Sequence, residues 1–272
     1  MVARSYLFVP ATRPDRFEKA IQSGADAVII DLEDAVPTQS KAEARAGLAK
    51  WLSPNHPVYV RINAQETEWY KDDVSAVVRE GLRGLLLPKS EDPTQVAELA
   101  AGLPDSVALI PVVETAQGIW NSHELARCPK VERLGFGNLD FQRDLRILGN
   151  GIELLYTRSH LVLVSRLANL LPPIDGVTTA LEDTNILLQD IEQARRLGFG
   201  GKLCIHPRQV EMVNRGFLPS EQEIAWARRV LEAAEAGAGA AVRLNSEMID
   251  APVITRAKQI LETCGQTPAK NT

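Results

Sequence analysis

Cysteine is scarce in this sequence. Cys128, Cys204 and Cys264 are odd in number, far apart and without any metal-binding spacing, so they are expected to be reduced bystanders. Long apolar runs are also missing. None approaches the roughly 18 residues of a membrane span, and the N-terminus lacks a basic-then-apolar secretory pattern, so a cytoplasmic protein with no membrane contact is expected. Positive charge is not in excess: 30 basic against 35 acidic residues leave a net charge of −5, which argues against a nucleic-acid partner gripped through its phosphates. Nor does a glycine-rich phosphate turn follow the first apolar run. Pro10-Ala11-Thr12-Arg13-Pro14 stands there instead, which disfavours an open doubly wound sheet.

What is present is an alternation. Short apolar runs at Ser5–Val9, Ala27–Asp31, Val58–Ile62, Gly84–Leu87, Ala108–Val113, Leu134–Gly137, Ile174–Val177 and Lys202–Ile205 read as strands. Amphipathic stretches at Pro14–Ser23, Lys41–Leu52, Trp69–Glu80, Thr94–Ala101, Gly118–Arg127, Ile152–Leu171, Thr184–Leu197 and Arg208–Arg215 read as the helices between them. Thr12 is placed as an N-cap before Pro14, and Gly24, Gly81, Gly102 and Gly198 stand where a C′ glycine is expected. Eight βα units in 272 residues predict a (β/α)₈ TIM barrel, a fold of about 250 residues. One further helix, Glu221–Ala236, completes a first domain drawn at 1–236. A Gly237–Ala241 linker, a last helix opening at Glu247–Pro252 and a polar tail from Gly265 make up 237–272, an arm that a closed barrel does not need.

Two of the runs end in carboxylates. Leu109–Val113 leads to Glu114, and Leu134–Gly137 leads to Asp140. Two acids brought together repel unless a cation, a proton or an arginine lies between them, and a hard cation such as Mg²⁺ is commonly held by one or two carboxylates plus substrate oxygens. The competing reading is that both acids cap the helices that follow.

Chemistry in such a barrel sits where the strands end. The residues there are Arg13, Glu33 and Asp34, Arg61 and Asn63, Lys89, Glu114, Asp140, Asp175 and His206, and the opposite ends of the strands show nothing comparable. Arg61 offers a planar, permanently charged fork for a carboxylate or an enolate oxygen; it could equally pair with Glu33 or Asp34. Glu33, Asp34 and Lys89 are expected to form a supporting shell; for Asp31, Glu33 and Asp34 a water-mediated metal contact and a role in holding Arg61 or Lys89 both stay open. Gly137, Asn138 and Leu139 form a small-residue loop whose backbone N–H groups can approach an oxo acid. Asp175 and His206 read as structural, the first opening a turn and the second preceding a helix-starting proline.

The segments RSYLFVPATRPDR, GADAVIIDLEDAV, VRIN, LLLPKSE, VVETAQG, LGFGNLDF and GFGGKLCIHPRQV, continued by NRGFLPSEQEI and EMIDAP, resemble the citrate lyase β-subunit family within the HpcH/HpaI aldolase/citrate lyase superfamily. The resemblance spans nearly the whole chain. It implies Mg²⁺ on Glu114 and Asp140, a keto acid gripped by Arg61 beside Gly137, Asn138 and Leu139, and CoA held by Phe8, Pro10, Arg13 and Arg16, with Ala11 where a glycine is common. It also implies that Asp250 acts as catalytic acid in a neighbouring subunit of a homotrimer or hexamer; an N-cap before Pro252 is the alternative. The activity implied is Mg²⁺-dependent cleavage or formation of a citramalyl-, malyl- or citryl-type 3-hydroxy acyl thioester. A citrate lyase β subunit working with acyl-carrier and transferase subunits, a thioesterase or malate synthase side activity, and a binding subunit without turnover are the alternatives.

Overall fold

A computed structural model describes residues 2–236, 242–244 and 247–263. The Gly237–Ala241 linker, Cys264 and the tail from Gly265 lie outside the described residues. Contacts divide the chain into two compact units, Met1–Phe217 and Leu218–Thr272.

In the first unit eight parallel strands close into a barrel: β1 (Ser5–Pro10), β2 (Ala27–Asp31), β3 (Val58–Arg61), β4 (Leu82–Leu87), β5 (Ala108–Val113), β6 (Gly135–Phe136), β7 (Ile174–Asp175) and β8 (Gly201–Cys204). The seam is closed by β1 on β8, with Ser5 opposite Lys202 and Leu7 opposite Cys204. Side chains alternate across the strands. Tyr6, Ile29, Tyr59, Leu86, Ile110, Val112, Ile174 and Leu203 form one buried cluster in the barrel interior, while Leu7, Val28, Ile30, Val60, Leu85, Leu109 and Val113 join the helices in another. Strands buried on both faces explain why the sequence shows unbroken apolar runs instead of alternation.

Several elements differ from the sequence reading. Strands β6 and β7 are only two residues long, and Gly137 and Val177 lie beyond them. The stretch at Gly137 to Asp140 is not a loop: a helix, Asn138–Leu145, starts directly after β6, so Asp140 stands in its first turn. The stretch Gly118–Arg127 is two short helices, Ala116–Trp120 and Ser122–Leu125, broken at Asn121. Helix Leu155–Leu167 stops early because Asn169 turns left-handed (φ 56°) and the Leu170 N–H closes back on Ser165 O at 2.9 Å, ahead of Pro172 and Pro173. Gly24, Gly81 and Gly198 have positive φ, whereas Gly102 does not. Thr12 caps nothing; Arg13 occupies the cap position before Pro14.

The N-terminal strand ends are also more polar than expected. Arg133 is fully buried there, donating to Ala3 O and to the Tyr6 hydroxyl, and the Tyr59 hydroxyl donates to Glu132 at 2.7 Å. These groups lock the barrel floor.

The second unit contains the helix Glu221–Ala236, grouped with the barrel in the sequence reading, and the helix Ala251–Thr263 packed on it around Ala227, Val230, Ile249, Ala257 and Leu261. Ser220 and Glu223 form a reciprocal capping box at the start of the first helix. Residues Glu247–Ile249 do not open the last helix. They form a strand paired antiparallel with Val242–Leu244, and the helix begins at Ala251.

Candidate active site

Strand ends β2, β3, β5 and β6 bring the sequence-selected acids and Arg61 to one cleft of about 390 Å³, lined by Asp31, Asp34, Arg61, Glu114, Gly137, Asn138, Leu139 and Asp140 together with Phe8 and Pro10. Arg61 closes β3. Its Nε and Nη2 each donate to Asp31, both at 2.7 Å, and its guanidinium lies 4.7 Å from the centre of the Phe8 ring. Burial opposes its charge, but Asp31, with Glu33 and Asp34 behind it, outweighs burial and raises its pKa above the ordinary arginine value. Glu33 Oε2 sits 3.0 Å from Nη1 without hydrogen-bond geometry, and Asp34 is 3.8 Å away. The principal partner is thus Asp31 at the end of its own strand, not Glu33 or Asp34. Two of the five guanidinium N–H donors are held by Asp31, and Nη1 lies at ion-pair distance from Glu33, so a ligand at the Nη1–Nη2 end would share it with that carboxylate.

Glu114 is 3% exposed and does not cap the following helix; Thr115 does, accepting from the Gly118 N–H at 3.0 Å. The Glu114 carboxylate accepts instead from the Lys89 backbone N–H at 2.7 Å. Lys89 reaches this position with φ of 50°, a left-handed conformation that costs energy in a residue with a side chain. Its Nζ bonds Glu33 at 3.1 Å. Gly137 is required on the other side, because a Cβ there would collide with the Glu114 side chain. Burial, with the charges of Glu33 and Asp140 added, pushes Glu114 up to about 8. Burial raises Glu33 as well. Asp140, partly exposed in the first helical turn, pairs with Arg143 at 2.6 Å.

Five carboxylates, Asp31, Glu33, Asp34, Glu114 and Asp140, therefore share this end of the barrel with Arg61, Lys89 and the surface Arg143. A buried glutamate whose carboxyl is pushed up by burial and by its acidic neighbours fits a site that accepts a cation. Among the described residues no three His, Cys, Asp or Glu side chains form a complete metal cage. Two carboxylates completed by water and substrate oxygens are what a hard divalent ion requires.

The other sequence-selected residues serve support. Asn138 is used by the fold: its amide bonds both the N–H and C=O of Val177, at 2.8 and 3.1 Å, tying the Asn138–Leu145 helix to the end of β7. Asn63 joins Lys41, Leu32 O and Asp73 in a buried network. Lys41, the first residue of its helix in the sequence reading, also donates to the carbonyls of Leu32 and Glu33 and so fixes the β2 exit. Asp175 forms a buried triad with Arg158 and Lys202, both at 2.9 Å. His206 caps a turn through its Nδ1, which accepts from the Arg208 N–H. Arg13 forms a two-bond pair with Asp15 on the surface and Arg16 is exposed; neither lines the cleft. Asp250 belongs to the second unit, where its carboxylate accepts from the Val253 N–H at 3.3 Å.

A closed (β/α)₈ barrel with acids and an arginine gathered at its strand ends defines an enzyme scaffold for an oxygen-rich anionic substrate. The chain belongs to the HpcH/HpaI aldolase/citrate lyase family, whose model matches residues 4–207. It is 38% identical to a citrate lyase subunit beta-like protein of Deinococcus radiodurans over 95% of this chain and 96% of that one. It is 36% identical to a (3S)-malyl-CoA thioesterase of Cereibacter sphaeroides, over 95% and 93%. The structure of the CitE protein of Mycobacterium tuberculosis in complex with magnesium, acetoacetate and coenzyme A superimposes with a TM-score of 0.87 at 33% identity, covering 97% of this chain and 98% of that one.

Proposed function

We propose that this protein is a Mg²⁺-dependent carbon–carbon lyase that splits a 3-hydroxy acyl-CoA thioester into a keto acid and a shorter acyl-CoA, or joins them in reverse. One observation carries the reading: Glu114, buried and raised to about 8 by burial and its acidic neighbours, faces the same cleft as Asp140 and the Asp31-anchored Arg61. Glu114 and Asp140 would hold Mg²⁺, which when bound supplies a Lewis acid for the hydroxyl and carboxylate oxygens of the substrate.

The chain's own groups do the rest. Arg61, oriented by Asp31 and flanked at Nη1 by Glu33, meets the developing oxyanion with the N–H groups that Asp31 does not hold. Lys89 and Gly137 hold the Glu114 carboxylate from either side, and Asn138 fixes the helix that carries Asp140. Phe8 and Pro10 border the cleft, with Arg13 and Arg16 as phosphate partners of CoA. The leaving enolate needs a proton on carbon. Asp250 of a second copy in a homotrimer or hexamer supplies it, and its exposed carboxylate with a single long cap bond supports that role.

Turnover of 3-hydroxy acyl-CoAs with and without Mg²⁺, read as keto acid and acyl-CoA, tests the reading; no keto acid from any member of the panel overturns it. The likeness to a (3S)-malyl-CoA thioesterase supports hydrolysis as a second activity, recognised by free CoA in place of acyl-CoA. A citrate lyase β subunit would instead require a carrier-bound citryl thioester and its partner subunits.

A further inference from the structure

Glu114 and Asp140 reach the cleft by different routes. Glu114 leaves β5 buried and is held between the Lys89 N–H and Gly137. Asp140 stands partly exposed on a helix of eight residues, Asn138–Leu145, that follows a two-residue strand. So short a helix has little stability of its own. Asn138 and Phe141 are its buried residues, and Arg146 ends it in a left-handed turn (φ 57°), so its placement depends on what ties it down.

Three ties are present. Asn138 bonds Val177 beyond β7, and Phe141 packs edge-on against Phe136 of β6 with ring centres 5.6 Å apart. The third tie runs to the other side of β6, where the Asp144 carboxylate accepts the backbone N–H of Ala116 at 2.8 Å. Ala116 opens the short helix after β5 and lies two residues beyond Glu114, and β5 and β7 are the two neighbours of β6. The helix is thus pinned toward both flanking strand exits, with Asp140 between the pins.

An acid is unfavourable at position 144 on local grounds. It stands in the last turn of its helix, where the dipole opposes negative charge. It also follows Asp140 by four residues, where like charges on one face repel, and it is exposed, so no burial compensates. A residue that breaks two local rules has its reason outside the helix, and the bond to Ala116 supplies one. The Ala116 N–H is a first-turn donor with no acceptor in its own helix, and Thr115 already serves the Gly118 N–H. Asp140 and Asp144 project from the same helical face, so tying Asp144 to the turn that carries Glu114 also sets where Asp140 stands relative to Glu114. Resting on the metal reading above, we propose that Asp144 is a positioning residue: through its bond to Ala116, and not through its charge, it fixes the spacing of the two acids that would hold Mg²⁺.

Titration of the full-length protein with Mn²⁺, followed by the electron paramagnetic resonance of the free ion and by Mg²⁺ competition, tests this without turnover. Asp144→Ala is expected to weaken Mn²⁺ binding at least about tenfold, the loss typical of a group that orients a metal ligand. Asp144→Asn keeps an oxygen acceptor for the Ala116 N–H without the charge, and is expected to bind Mn²⁺ nearly as tightly as the parent. Asp183→Ala removes an exposed acid that caps a different helix through the Asn185 N–H at 2.9 Å. It should lower the melting temperature at least as much as Asp144→Ala and leave Mn²⁺ affinity unchanged. Asp144→Ala binding like the parent, or Asp144→Asn as weak as Asp144→Ala, overturns the positioning role and leaves the metal reading standing. An equal loss of affinity in Asp183→Ala does the same, because the effect would then be one of stability or net charge. A parent protein that binds no Mn²⁺, or binds it as well after Glu114→Gln, overturns both.

Discussion

Arg61 and Asp31 meet through two parallel hydrogen bonds of 2.7 Å across neighbouring strands, and Asp31 also accepts the backbone N–H groups of Glu33 and Ala35. One carboxylate thus sets both the arginine and the loop that presents Glu33. Arg61→Lys keeps the charge but loses the fork, and kcat/KM is expected to fall at least tenfold, about 1.4 kcal/mol of transition-state stabilisation. Asp31→Asn leaves Arg61 without its buried counter-charge, and a loss of roughly 3 kcal/mol in denaturant unfolding is expected as well. Near-native turnover in Arg61→Lys would make the pair purely structural.

Lys89 separates backbone from side chain. Its left-handed backbone aims an N–H at Glu114, while its Nζ neutralises Glu33. Lys89→Gly preserves the backbone geometry, and Lys89→Ala retains the strain without the ammonium group. Lys89→Gly is therefore expected to be more stable than Lys89→Ala by about 1 kcal/mol in chemical denaturation. Equal stabilities would show that the left-handed turn is not what holds Glu114.

Glu114 carries a pH signature. A carboxyl raised to about 8 in the folded chain stabilises the fold fully below its unfolded value, near pH 4, and that contribution is lost as pH rises through 8. In EDTA, Glu114→Gln should match the parent protein near pH 4 and exceed it by an increasing margin up to pH 9, by on the order of a few kcal/mol. Added Mg²⁺ should raise the melting temperature of the parent and leave Glu114→Gln unmoved. A parent melting curve at pH 9 that equals the variant's in EDTA would remove the electrostatic argument for a cation.

The barrel was legible because parallel strands covered on both faces write unbroken apolar runs, and glycines such as Gly24 and Gly198 mark helix ends by their backbone need for positive φ. The acids were legible because each ends such a run. Helix Asn138–Leu145 was not, since Gly137, Asn138 and Leu139 have the composition of a loop; the helix forms because Asn138 is tied to Val177, a contact 39 residues away. Lys41 was invisible for the same reason, as its carbonyl and Asn63 partners meet only when β2 and β3 pair. The Arg61–Asp31 bond follows from strand register, in which the two residues are direct neighbours. A sequence read one run at a time does not contain that register.

Asp250 gives the last prediction. Its carboxylate is exposed and caps the Ala251–Thr263 helix through one bond of 3.3 Å, close to the limit of hydrogen-bond length. Loss of that cap by Asp250→Asn should cost little stability, because asparagine is an equally good N-cap residue. A large loss of turnover with an unchanged melting temperature would therefore mark the carboxylate as catalytic. Mixing then decides which barrel it serves. Asp250→Asn and Glu114→Gln variants, each inactive, are unfolded together and refolded as mixed oligomers. If Asp250 completes the site of a neighbouring copy in a cyclic trimer, about a quarter of the sites in an equal mixture regain both native residues. Activity returning to that level supports action across subunits. A mixture that stays inactive, with size-exclusion chromatography showing the same oligomer as the parent, places Asp250 in the service of its own chain.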